Sequence, residues 1–225
     1  MRSSPLLTLL ATLAASTAFA QDDAPSLDGV GRISIQGGWR YVSNSTLYNS
    51  YYSQPGNAGL ERAAKSPGGP LLVGSFAYAM SDLVEVGIDL FGTGERLQLT
   101  DQPQLTTLCY GALLGVRLQK WVALGPEGTV PFVGVLTGPL LATATFKGER
   151  PQETLTQAYA ATVGATARLN PHWGLSLEFR QVFARGTVSK TGQRFSSFNA
   201  GGSWLSVGVS YAFPPDPGPS LRNPF

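Results

Sequence analysis

A single histidine and a single cysteine limit the chemistry open to this 225-residue chain. His172 stands in the turn-like run Asn170-Pro171-His172, and a general base must reach its substrate to act. One His and one Cys fall short of the ligand sets that hold zinc. Gly92-Thr93-Gly94 lacks the following helix and further glycine of a nucleotide loop. We therefore expect no catalytic residue, no metal site and no cofactor, and Cys109 reads as a small wall residue. A net charge of +2 is too slight to imply a nucleic-acid partner.

What the sequence does place with regularity is charge. Arg40, Glu85, Asp89, Arg117, Arg168, Glu178 and Arg180 each sit among small residues and threonines on one phase of a two-residue alternation, with apolar side chains on the other. The chemistry open to such a set is pairing. A charge withdrawn from water is far less costly when a partner of opposite sign is present.

The elements that must position these charges are short strands, and eight are expected. They fall at about 32–42, 69–80, 84–91, 107–118, 130–141, 159–169, 174–183 and 204–213. Ile33, Ile35, Trp39 and Tyr41 share one face of the first, and Leu205, Val207, Val209, Tyr211 and Phe213 one face of the last. The fifth contains Pro131 and Pro139, each of which removes a ladder hydrogen bond. Long polar connections at 43–68, 92–104, 145–156 and 184–203 alternate with tight ones at 81–82, 125–128 and 170–172. Long loops on one side and short turns on the other are the asymmetry of a transmembrane barrel.

The identity of the faces decides between a soluble sheet and a membrane one. In hydrocarbon only helices and closed barrels satisfy every backbone polar group. Arg or Lys on a lipid face costs about 2–4 kcal/mol at the midplane. The charged phase must therefore face a lumen, and the expected fold is an all-β, eight-stranded antiparallel up-and-down transmembrane barrel. Glu85 is expected near Arg117 and Arg168 at the turn end, with Glu178 between that layer and Arg180. Tyr78, Trp173, Tyr211 and Phe213 fall at one set of strand ends, and Trp39, Tyr41 and Phe183 at the other, as interfacial girdles do. Charged residues make up only 13% of the chain and glycines number 27. This composition suits an apolar exterior and many turns.

Residues 206–213 resemble the C-terminal β-signal of bacterial outer-membrane proteins. Ser206 supplies its polar position, Gly208 the glycine, and Tyr211 and Phe213 the two aromatics. The resemblance implies recognition by the barrel assembly machinery, although residues 214–225 follow where the family's terminal Phe ends the chain. The organisation as a whole is similar to the small eight-stranded outer-membrane proteins of the OmpA-barrel, OmpX and OmpW type. Some small barrels act on lipid A with a histidine, but His172 lies at the end remote from the outer leaflet. We accordingly expect a non-enzymatic protein.

Residues 1–20 have the build of a cleavable secretory signal, with Arg2, an apolar stretch at 6–15 and Ala18-Phe19-Ala20. The barrel then spans 21–213, with a lead to about residue 30, and 214–225 form a Pro-rich periplasmic tail. The expected location is the bacterial outer membrane, in contact with its lipid and lipopolysaccharide. The expected role is structural or in surface interaction, with a narrow channel for ions or small solutes as the alternative. Two loops read foremost as ordinary solvated segments, with an extracellular ligand as the sharper alternative: the aromatic and polar segment 48–52 in the manner of a recognition loop, and the basic 184–203 with Arg185, Lys190 and Arg194 towards lipopolysaccharide phosphates.

Overall fold

The computed structural model describes residues 25–57, 59–190 and 193–213. The expected export signal, the start of the expected lead and the expected Pro-rich tail lie outside the described residues. Strands β1 (Gly31–Tyr41), β2 (Gly68–Ala79), β3 (Val84–Leu97), β4 (Leu105–Gln119), β5 (Thr129–Phe146), β6 (Gln152–Arg168), β7 (Trp173–Phe183) and β10 (Gly202–Phe213) close a barrel. Its order is β1-β10-β7-β6-β5-β4-β3-β2, with every neighbour antiparallel. A helix α1 (Ser45–Tyr52) and a hairpin of β8 (Arg185–Lys190) with β9 (Gln193–Asn199) occupy the loop end.

The strands form where alternation is strict, and the apolar phase points out. Ile35, Leu72, Leu90, Leu114, Val135, Val163, Leu177 and Val207, one from each barrel strand, are all exposed. A belt of this kind around a closed barrel is a lipid-facing surface. Aromatics border it at both ends. At the turn end Tyr211 lies 5.1 Å from Trp173 and 6.4 Å from Phe213, centroid to centroid. Trp39, Tyr41, Tyr159 and Phe183 stand exposed towards the loop end.

Three expected loops prove to be strand over about half their length or more, 184–203 through the β8–β9 hairpin and two others by extension of the barrel wall. β3 runs on to Leu97, and β5 and β6 reach Phe146 and Gln152, so 92–104 and 145–156 shrink to the tight connections 98–104 and 147–151. Beyond the lipid belt the outer face no longer needs apolar residues. The composition turns polar there while the pairing continues.

The prolines of β5 are accommodated on one side. Pairing with β6 is continuous from Thr129↔Ala167 to Ala144↔Gln152. Pairing with β4 skips residues 138 and 139, between Leu114↔Thr137 and Gly111↔Leu140. Pro131 points its missing donor past the end of β4, where its carbonyl accepts from Lys120 N at 3.2 Å. At the skipped step the two backbones lie close. A Cβ on Gly138 would sit 2.1 Å from the Ala112 carbonyl oxygen, so only glycine fits.

Candidate functional site: a filled lumen and its cap

The inward phase brings six charges into one layer near the turn end. Arg32 donates to both oxygens of Glu85 at 2.8 Å and to Thr166 at 2.7 Å. Arg117, the register partner of Glu85, reaches it at 3.2 Å and Asp89 at 2.7 Å. Arg180 spans from Asp89 at 2.7 Å to Glu178 at 2.6 Å. Glu178 also accepts from the Thr162 hydroxyl and from Gln36 Nε2, and Gln36 in turn accepts from Ser206 at 2.7 Å. The guanidinium groups of Arg32 and Arg117 both lie over the ring of Phe132, at 5.7 and 5.6 Å. Three arginines and three carboxylates leave the layer neutral.

Of the expected charges, Glu85, Asp89, Arg117, Glu178 and Arg180 meet here as neighbours. Arg168 does not. It donates to the Pro171 carbonyl at 3.3 Å in its own turn, and Arg32 takes the place beside Glu85 expected for it. Arg32 opens the expected first strand and shares the parity of Ser34, Gln36 and Arg40, so the alternation already placed it on the inward phase.

Arg40 belongs to a second cluster, towards the loop end. Its partner Glu95, 2.8 Å away, lies in what was expected to be a loop, although it keeps the parity of Glu85 and Asp89. Both side chains are fully buried. Asn44 donates to both Glu95 oxygens at 3.1 and 3.2 Å and accepts from Asn199 N at 3.0 Å, tying β1, β3 and the β9 end together. Arg40 also donates to the Ala200 carbonyl at 3.2 Å, and Cys109 is buried beside it.

Apart from the inward threonines Thr93 and Thr107, the rest of this half of the lumen is largely apolar, unlike the polar interior expected of a membrane barrel. Phe91 and Trp204 meet at 4.9 Å between ring centroids, and Leu71, Leu113, Leu140 and Phe198 are buried in the same cluster. Helix α1 closes it from above. Leu47, Tyr48, Tyr51 and Tyr52 are all buried, a spacing that puts them on one helical face. Tyr52 accepts from Ala63 N at 2.8 Å and meets the Thr100 hydroxyl at 2.9 Å, while Tyr51 donates to the Thr100 carbonyl. Burial raises the Tyr48 phenol above its ordinary pKa. The segment 48–52 is thus a plug rather than a displayed recognition loop. Eight residues gave too short a period to distinguish from a loop in sequence.

In the expected basic loop, Arg185 is exposed on β8, and the side chains of Lys190 and Arg194 lie outside the described residues. His172 sits in its turn with the ring stacked on Tyr211, 5.4 Å between centroids. Among the described residues, no group of three or more His, Cys, Asp or Glu stands together as metal ligands would. Ser206, Gly208, Tyr211 and Phe213 all lie on β10, which closes the barrel against β1.

No protein-family model matches the chain, and no curated protein matches it in sequence. Solved structures do match. Neisserial surface protein A is 14% identical, covers 82% of this chain over 99% of its own, and superposes with a TM-score of 0.55. The outer-membrane protein OprG from Pseudomonas aeruginosa is 12% identical, with 85% and 99% covered and a TM-score of 0.54. At these identities the likeness is one of fold. The fold is that of the small eight-stranded outer-membrane β-barrels.

Proposed function

We propose that the chain is a non-catalytic bacterial outer-membrane barrel, exported through residues 1–20 and inserted with its loop end outward. In this reading it serves a structural or surface-interaction role and conducts no solute. The filled lumen carries this reading. Eight strands enclose an interior that side chains can fill. Here a paired charge layer, the Phe91–Trp204 cluster and the α1 plug succeed one another along the bore. Insertion through the assembly machinery rests on Ser206, Gly208, Tyr211 and Phe213, and the surrounding partners are lipid and lipopolysaccharide.

Planar-bilayer recording separates this from the channel alternative. The intact protein should give no stable current, and deletion of Ser45–Tyr52 combined with Trp204→Ala should open the loop half alone, with the paired charge layer still closing the bore. A stable, ion-selective current from the intact protein would overturn the closed-lumen reading.

A further inference from the structure

At the turn end the bore closes on the lead. Residues 25–30 run against the β2–β3 turn before β1 begins, and one carboxylate oxygen holds them there. Asp82 Oδ1 accepts from the Ser26 hydroxyl at 2.5 Å, from Leu27 N at 2.6 Å and from Asp28 N at 3.3 Å. A turn follows, in which Val30 N donates to the Leu27 carbonyl at 3.1 Å and Gly29 takes φ +76°, a conformation that suits glycine. It carries Leu27 inward, where the side chain is buried against Ala79, Val130 and Trp121. Gly29 N and the Val30 carbonyl are tied to the backbone of Ala79 at 2.9 and 3.0 Å. Gly29 is therefore the hinge, and 25–28 are the part free to swing.

Behind Leu27 lies a cavity of about 50 Å³, room for a few waters at about 10–15 Å³ each. Leu27 and Val30 bound it on one side, Pro171 and His172 of the β6–β7 turn on the other. Gln119 and Ser210 line it as well. Both residues are buried, yet among the described residues neither the amide nor the hydroxyl has a hydrogen-bond partner. Arg32 also faces this cavity. Its side chain is 15% exposed against 4% or less for the other charges of the layer, so water meets the layer here first.

A stop held by one carboxylate and one leucine can be withdrawn without breaking any barrel ladder. Withdrawal exposes the apolar surface of Leu27, which is unfavourable. It also hydrates an amide and a hydroxyl that closure leaves unpaired, which is favourable. The two effects oppose each other and bring closed and open states near in free energy, as in segments that open locally. We infer that the lead is a latch: engaged on Asp82 it shuts the turn end, and released it wets the charge layer from that side alone. The Phe91–Trp204 cluster and α1 keep the loop half closed in either state. Such a movable stop goes beyond the filled lumen of the proposed function and rests on it for the closed loop half.

Thiol labelling of the refolded protein in detergent, where a reagent reaches both ends, tests the latch. In a Cys109→Ala background, Ser210→Cys places a thiol on the cavity and Thr107→Cys places one in the loop half. A small water-soluble methanethiosulfonate reports access to each. Asp82→Ala should speed labelling of Ser210→Cys at least about tenfold, the factor that one hydrogen bond to a charged group is worth. Leu27→Ser should also speed it, with the Asp82 clasp still in place. Thr107→Cys should label slowly in every case. Retained heat-shifted migration on a gel shows that the variants fold. Equal rates at Ser210→Cys with and without Asp82→Ala overturn the latch. So does a matching rise at Thr107→Cys, which marks general loosening. Stable current through the intact protein would overturn the closed-lumen reading, whereas the latch stands or falls on these rates.

Discussion

Asp89→Ala is expected to lower the unfolding free energy of the bilayer-inserted barrel by about 3–5 kcal/mol, the cost of leaving buried charge without its partner. Asp89 is fully buried and holds two guanidinium groups at once, Arg117 and Arg180, each at 2.7 Å. Removing it leaves Arg117 with Glu85, already shared with Arg32, and Arg180 with Glu178 alone. Asp89→Asn should cost nearly as much, since shape is kept but charge is not. Arg168→Ala is the contrast. Its group lies outside the layer, and substitution should change stability by less than about 0.5 kcal/mol. Urea titration of protein folded into lipid vesicles, read by gel mobility, measures all three. Equal effects at Asp89 and Arg168 would remove the distinction between network and turn.

Gly208→Ala should damage the barrel at its seam. A Cβ at Gly208 would stand 2.0 Å from the Ile35 carbonyl oxygen and 2.6 Å from Gln36 Cα, both on β1. The contacts are backbone, so no side-chain rotation relieves them. The expected loss is about 1–3 kcal/mol, as for overpacking elsewhere, together with slower closure. Because the obstacle is steric, it should appear when purified protein folds into pure lipid with no other protein present. Tyr211→Ala should behave in the opposite way. Its ring packs outside on Trp173 and His172, so folding into vesicles should persist while the amount inserted in cells falls. Unimpaired folding of Gly208→Ala in vesicles would contradict the close approach. Wild-type cellular levels of Tyr211→Ala would contradict the assembly role of residues 206–213.

The parts of the fold legible in sequence are those governed by lipid. Where hydrocarbon demands apolar residues on one face, as at Ile33 to Tyr41 or Leu205 to Phe213, the period of two is unmistakable and both strand and inward residues follow. Above the belt that demand lapses. There Thr93, Glu95 and Leu97 continue inward while the outer face turns mixed, and the strand looks like a loop. Glu95 was missed for that reason alone. Pairing partners are less legible still. Nothing in the sequence says whether Arg32 or Arg168 lies nearer Glu85, because that depends on stagger between strands fifty or more residues apart. Likewise the burial of Tyr48, Tyr51 and Tyr52 depends on a bore wide enough to receive them.

The charge layer also dictates an order of events. The hairpin of β3 and β4 brings Glu85, Asp89 and Arg117 together, three side chains whose charges sum to one negative. Arg32 cancels that excess only once β1 has joined β2 alongside β3. The Arg180–Asp89 contact crosses the bore between β7 and β3, which stand on opposite sides of the ring, so it cannot form until the sheet has curled shut. A partly built sheet therefore keeps hydrated carboxylates and guanidiniums that hydrocarbon rejects. Desolvation waits for the last strand, so barrel closure and passage into the bilayer become a single slow step, as contacts between distant parts of a chain require.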